Sequence, residues 1–167
     1  GHAVQMAMAE IAQTERVLIL FGDTPLVRAS TLQRLLDASQ ESGFALLSAV
    51  VDNPFGYGRI VRDADGSVSA VVEEKDASET QRAITEINTG MMVVARDILT
   101  THLPQLQNDN AQGEYYLPDL VALHRAAGGR ISAIIADDAE ETMGINTRAQ
   151  QAQAEAVYRR RQAQALL

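Results

Sequence analysis

Val17-Leu18-Ile19-Leu20-Phe21-Gly22-Asp23-Thr24-Pro25 is the stretch from which the fold can be read. Its first five residues are all apolar, with no polar face. A strand reads this way when helices cover both faces of its sheet, so the run predicts a central parallel strand buried on both sides. Gly22-Asp23 ends it, and Pro25 cannot continue a ladder. Open α/β sheets bind ligands outside the carboxyl ends of their strands. Asp23 stands at such an end. It reads either as a turn or helix-capping residue or as a hard oxygen ligand, of the kind Mg²⁺ takes together with substrate phosphates and water.

Working outward, Val4, Met8 and Ile11 recur at helical spacing and predict a helix over 2–14. Ser30 reads as the N-cap of a helix carrying Leu32, Leu35, Leu36 and Ala38 and ending near Gly43. A second apolar strand follows over 44–51, then a loop with Pro54, Gly56 and Gly58. Short strands over 59–62 and 67–72 flank Asp63-Ala64-Asp65-Gly66, a hairpin signal. A short helix over 78–85 leads to a strand over 86–95, which carries Met91-Met92-Val93-Val94. A helix over 97–103 stops near Pro104, and 108–114 is a polar loop. An amphipathic helix over 116–127 ends at Gly128-Gly129, a strand covers 131–136, and a long Ala/Gln/Arg-rich helix covers 149–167. Helices alternating with strands predict an α/β domain with a mostly parallel sheet. The hairpin and the short crossover before residue 86 make that sheet mixed.

With 167 residues the chain suits one domain with a core of its own. It is 46% hydrophobic but only 4% aromatic, with no Trp, so that core is aliphatic. Without cysteine there are no disulfides or thiolate metal sites, in keeping with a reducing cytoplasm. A net charge of −8 argues against nucleic acid as a partner, since that binding rests on Lys and Arg neutralising phosphates. No run reaches the ~18 apolar residues of a membrane span. His2, His102 and His124 lack metal-ligand spacing and read as structural.

Four further segments carry two readings each. Gly56-Tyr57-Gly58-Arg59 is a hairpin-like turn or a place where backbone approaches a ligand. Val72-Glu73-Glu74-Lys75-Asp76 is a solvated helix entry or a carboxylate set for sugar hydroxyls. Asn88, between apolar strand residues, needs partners that either backbone or a ligand supplies. In Gly144-Ile145-Asn146-Thr147-Arg148, Asn146 or Thr147 caps the last helix, or Asn146 gives a neutral oxygen to a metal begun by Asp23.

Taken in order, Leu20-Phe21-Gly22-Asp23-Thr24-Pro25-Leu26, Gly56-Tyr57-Gly58-Arg59-Ile60, Glu73-Glu74-Lys75-Asp76-Ala77, Glu86-Ile87-Asn88-Thr89-Gly90, Asn110-Ala111-Gln112-Gly113-Glu114-Tyr115-Tyr116 and Gly144-Ile145-Asn146-Thr147-Arg148 resemble one family. It is the bifunctional family of UDP-N-acetylglucosamine synthesis, in which a uridylyltransferase domain precedes a glucosamine-1-phosphate acetyltransferase domain. The resemblance runs over 1–167. It implies a Rossmann-like nucleotide-diphospho-sugar transferase fold and Mg²⁺-dependent joining of UTP to N-acetylglucosamine 1-phosphate, giving UDP-N-acetylglucosamine and pyrophosphate for cell-wall precursors. It implies that Asp23 and Asn146 hold the Mg²⁺ and serve the reaction. Gly22, Gly58, Glu73 and Asn88 would bind substrate, with Tyr115 and Tyr116 near the sugar. Glu74 stands where some members carry His, a departure expected to be minor.

Against that family the chain is expected to lack the first strand, the glycine-rich loop and the uracil-reading segment. Residues 149–167 would lead toward an absent left-handed β-helix acetyltransferase domain. The chain alone is then expected to be inactive, and a homotrimer is the family's assembly. The other readings are a sugar-1-phosphate nucleotidyltransferase of different base or sugar, and a non-catalytic sugar-nucleotide-binding domain of the same fold.

Overall fold

The computed structural model describes residues 1–11, 14–110 and 113–166. Parts of three expected elements, at Ala12-Gln13, Ala111-Gln112 and Leu167, lie outside the described residues. In chain order come α1 (His2–Ala7), β1 (Arg16–Ile19), α2 (Ala29–Ser42), β2 (Phe44–Val50), β3 (Arg59–Arg62), β4 (Val68–Val72) and α3 (Glu79–Arg82). Then follow β5 (Glu86–Ala95), α4 (Arg96–His102), a 3-10 turn Leu103–Gln105, α5 (Asp119–Ala126), β6 (Ser132–Ile135), a 3-10 turn Ala139–Thr142 and α6 (Arg148–Ala165).

The strands form one six-stranded mixed sheet in the order β4-β3-β5-β2-β6, with β1 also on β5. β1, β2, β3 and β6 point one way; β4 and β5 are reversed. The sheet is therefore mostly parallel in strand direction. Its hydrogen-bonded pairs are mostly antiparallel, because the reversed β5 separates β1 and β3 from β2, and only β2–β6 is parallel among the described residues.

The apolar runs follow from helices on both faces. Phe44, Leu46, Met92 and Val94 face one way, onto Leu99 and Leu103 at α4 and Leu120 and Val121 of α5. Their neighbours Ala45, Leu47 and Val93 face the other way, onto Leu35 of α2. A smaller cluster, Leu26 with Ala154 and Val157, packs α6 on the segment after β1.

Local sequence sets the ends. Gly43 stops α2 with a φ of 69°, a left-handed value that glycine takes without strain. Thr147 caps α6 by accepting from the Gln150 N–H, which leaves the Asn146 side chain out of the cap. Two expectations need correction. Ser30 lies inside α2, whose N-cap is Arg28. There the Glu141 carboxylate accepts from the Arg28 N–H (3.0 Å) and the Thr31 hydroxyl (2.8 Å). The run at 17–21 is neither paired in parallel among the described residues nor buried on both faces: β1 pairs antiparallel with β5 and is half-buried, and Leu20 and Phe21 are exposed. Among the described residues β1 pairs only with β5, so half its ladder is open.

The two-faced core sets a measurable contrast within one strand. Leu46→Ala, at a fully buried position, should lower unfolding free energy by about 2–5 kcal/mol in denaturant titration. Val50→Ala, at the exposed end of the same strand, should stay within about 0.5 kcal/mol of the parent.

Candidate functional site

β5 is long enough to meet two strands along one edge. Met92 to Ala95 pair with β1, and Ile87 pairs with Arg59 at the start of β3. The stretch between them, 88–91, has neither strand beside it. Opposite this gap the β2–β5 register slips: Leu46 faces Met92, but Ser48 faces Asn88. β5 therefore bulges at Thr89-Gly90-Met91, and Gly90 takes a φ of 79°. Bulges bend a strand and re-aim its side chains. The Thr89 hydroxyl fastens this one by donating to the Leu47 carbonyl (2.7 Å) and accepting from the Met91 N–H.

A cleft of about 500 Å³ opens over the gap. Gly58, Glu73, Asn88, Tyr115 and Tyr116 all line it, as do Phe21, Tyr57 and Thr89. Gly58 and Asn88 are joined by the Asn88 N–H donating to the Gly58 carbonyl (2.8 Å). The Asn88 amide oxygen accepts from the Gly90 N–H (3.1 Å). Its amide nitrogen makes no hydrogen bond to the described residues and is open to solvent, as suits a residue lining the cleft. The Glu73 carboxylate lies over Gly58, with Oε1 3.0 Å from where a Cβ would sit. Any larger residue at 58 would displace it.

Burial pushes the Glu73 carboxyl up, and Asp119 and Asp76 push it the same way, while Arg59 opposes them. Burial, with Asp76 adding to it, raises Asp119 as well. Glu74 behaves oppositely. The hydrogen bond from Arg59 holds its carboxyl below the usual range, helped by the Gly56 N–H and Arg82.

Asp23 and Asn146 meet outside this cleft. The Ile145 N–H donates to the Asp23 carbonyl (2.8 Å), tying the loop after β1 to the approach to α6. Asp23 Oδ2 and the Asn146 amide then lie 3.3 and 3.6 Å from the point a Cβ would occupy on Gly144. Both residues are exposed. The Thr24 hydroxyl and N–H donate to the Phe21 carbonyl and make the turn that holds Asp23. Gly22 lines neither place; it sits in the turn between Phe21, in the cleft, and Asp23.

Sequence reasoning missed Phe21, whose ring covers Gly90: a Cβ there would be 2.3 Å from Cε2. Gly90 inside a strand was the available signal, since such glycines mark bulges and close approaches. His102 and His124, on separate helices, meet with ring centroids 5.6 Å apart. They pack in the core away from the cleft, beside Phe44, and burial pushes His124 down.

A mixed sheet with helices on both faces and a cleft at the carboxyl end of β1 is an architecture found among nucleotidyltransferases. Solved structures share the fold. CMP:2-keto-3-deoxy-manno-octonic acid synthetase complexed with CTP matches 95% of this chain and 67% of its own, with a TM-score of 0.63 at 15% identity. HddC from Yersinia pseudotuberculosis complexed with GMP-PN matches 93% and 60%, with a TM-score of 0.59 at 15% identity.

The chain belongs to the MobA-like NTP transferase domain family, whose profile matches residues 1–162. It is 52% identical over 166 residues to the bifunctional protein GlmU of Dichelobacter nodosus, covering 99% of this chain and 36% of that protein. It is 48% identical over 167 residues to the bifunctional protein GlmU of Burkholderia lata, covering all of this chain and 37% of that one. The chain thus spans little more than a third of these relatives' length.

Glu73 gives the site a pH signature. Its raised folded pKa favours the neutral acid, so its contribution to stability is complete below the ordinary glutamate value of about 4.3 and is lost as pH rises through the folded pKa. The difference in unfolding free energy between the parent and Glu73→Gln, followed by denaturant titration from pH 4 to 7, should show this fall. A difference that stays flat over that range would remove the perturbed carboxyl from the cleft.

Proposed function

We propose that the chain forms part of a UTP:N-acetylglucosamine-1-phosphate uridylyltransferase, making UDP-N-acetylglucosamine and pyrophosphate. The observation that carries the reading is one cleft holding Gly58, Glu73, Asn88, Tyr115 and Tyr116, one turn away from the paired Asp23 and Asn146. Near-half identity along the whole chain to proteins named GlmU supports it. The product's role as a precursor of bacterial cell-wall polymers, made in the cytoplasm, belongs to the same proposal.

A phosphate oxygen of the sugar 1-phosphate attacks the α-phosphorus of UTP. The new P–O bond forms as the α–β bridge breaks, and pyrophosphate leaves with the bridging oxygen. Little covalent work falls to the protein in such a transfer; positioning and charge neutralisation supply the rate. Glu73, as carboxylate, accepts from sugar hydroxyls across Gly58. Asn88 donates from its amide nitrogen, and the two tyrosines border the sugar. These contacts fix the sugar while its phosphate projects toward Asp23.

Mg²⁺ fits the residues present. It takes one or two carboxylates and leaves other positions to water and phosphates. Asp23 supplies a carboxylate, Asn146 supplies an amide oxygen once its amide is turned, and Gly144 leaves the space between them open. Among the described residues no group of three or more His, Cys, Asp or Glu side chains offers a metal cage. That donor set suits an ion carried in by the nucleotide. Bound there, Mg²⁺ neutralises the phosphates and holds them in line.

Mg²⁺-dependent pyrophosphate release from UTP and N-acetylglucosamine 1-phosphate, measured on the full-length protein that contains this chain, tests the reading. Asp23→Ala should slow it by roughly 100-fold or more, the scale of removing one preorganised charge contact to the transferring group. Asn146→Ala, which removes only a neutral donor, should cost less. Release from a different sugar phosphate or nucleotide alone would keep the chemistry and change the substrate. Sugar-nucleotide binding without release would leave a binding domain.

A further inference from the structure

Arg59 is the largest side chain buried in the protein, at 1% exposure. Its guanidinium sits beneath the cleft. Nη2 donates to Glu74 Oε2 (2.6 Å) and to the Arg82 carbonyl (3.4 Å), and Nη1 donates to the Tyr57 carbonyl. Glu74 Oε2 also accepts from the Gly56 N–H (3.3 Å). Arg82 closes the arrangement from outside, with Nε 3.3 Å from the Glu74 carbonyl and 3.6 Å from Oε1. The cation thus ties together two segments far apart in sequence, the Gly56–Gly58 loop and the turn at Glu73-Glu74. Each of those segments contributes a wall of the cleft.

Stability alone does not account for this group. Nε of Arg59 is buried with no hydrogen-bond partner. A buried ion pair is weak evidence for stability, and one with an unmatched donor is weaker still. What the pair fixes is position. Gly58 and Glu73 are in direct contact, with the carboxylate over the glycine. A loop that drifted relative to the turn would change the width of the cleft where the sugar hydroxyls bind.

We propose that Arg59 and Glu74 are positioning residues for the sugar subsite: the ion pair between the buried guanidinium and the partly exposed carboxylate sets the distance between Gly58 and Glu73, and with it the affinity for the sugar 1-phosphate. This rests on the uridylyltransferase reading. It also gives the adjacent glutamates separate tasks, with Glu73 turned to substrate and Glu74 turned to the anchor. A His at position 74 would lack the carboxylate that reaches both Arg59 and the Gly56 N–H, so the departure there is structural.

The test varies each substrate in turn for the full-length parent and for Arg59→Lys, Arg59→Gln and the isosteric Glu74→Gln in the same full-length protein, with thermal melts alongside. KM for N-acetylglucosamine 1-phosphate should rise on the order of tenfold in Arg59→Gln and Glu74→Gln, as expected when a positioned group shifts. KM for UTP and kcat should stay within about twofold, because the phosphates are held elsewhere. Arg59→Lys should recover part of the loss by keeping the charge. Combining Arg59→Gln with Glu74→Gln should add little beyond either alone, since both remove one interaction. Unchanged sugar KM in both single variants overturns the proposal. So does a parallel loss of both KM values, kcat and melting temperature, which marks a purely structural pair. Calorimetric binding of UDP-N-acetylglucosamine to the same proteins separates the two readings. If the parent releases no pyrophosphate yet binds the sugar nucleotide, weaker binding by the variants sustains the positioning role while the reaction is lost; equal binding refutes it. A parent that neither reacts nor binds overturns both.

Discussion

Everything at the cleft depends on how the reversed strand β5 shares its edge. At ten residues it outruns β1 and meets β3 only at its beginning. A backbone left without a ladder partner must be satisfied otherwise. Here the two-residue slip against β2 bends the strand, and the Thr89 hydroxyl and Asn88 amide oxygen take up nearby N–H groups. The bulge thus turns a missing strand contact into a floor lined by Asn88, Thr89 and Gly90. The ends of β1 and β3 supply two walls, which is why Phe21 and Gly58 come together although 36 residues lie between them in the chain.

Charge divides along the same geometry. Glu73 and Glu74 are neighbours, yet their surroundings move them in opposite directions. In the turn after β4 one lies over Gly58 in the cleft, near Asp119 and Asp76, and the other pairs with a buried guanidinium. Among the described residues Arg59 is the cation that lowers Glu73, and it is the first cause of the lowering at Glu74. Arg59 opposes the rise at Glu73 without pairing with it, since its two terminal nitrogens are held by Glu74 and by the Tyr57 and Arg82 carbonyls.

The sheet and its order of elements were legible because two-faced burial writes itself into runs such as Met91-Met92-Val93-Val94. The strands over 59–62 and 86–95 end where the apolar pattern and the turn residues place them. The burial of β1 was misread for the same reason: apolar sequence reports what a strand is able to bury, and one paired edge leaves it half covered. Helix ends were least legible. The N-terminus of α2 is satisfied by Glu141, over a hundred residues away, so no local capping residue was needed at Ser30. Gly58, Glu73 and Asn88 stood out as residue types, but their convergence required the bulge, and the slip that makes it is a property of the pairing of two strands. The Arg59–Glu74 contact was hidden for a related reason. The Gly56–Arg59 segment read as a turn or a ligand approach and Glu73-Glu74 as a solvated helix entry or a sugar-binding carboxylate, and only the hairpin between them brings the two segments face to face.

Asp23 and Asn146 pose the opposite problem, since the fold brings them together but leaves both exposed. Exposure costs a divalent site affinity, because water competes for every position and a single carboxylate supplies little charge. The same weakness suits a cation that arrives and departs with phosphates. Under the uridylyltransferase proposal the nucleotide would bring most of the ligands, and the protein would need only to fix the angle at which they are presented. What must be rigid is then the backbone beneath the pair. That rigidity comes from the Ile145 N–H on the Asp23 carbonyl, from Thr147 closing the start of α6, and from Glu141 and Asp138 fastening the preceding turn to α2, with Asp138 also binding Arg161 of α6. The strong, buried contacts lie one layer below the surface, and the two groups that would meet the ion are left with side chains free to take it.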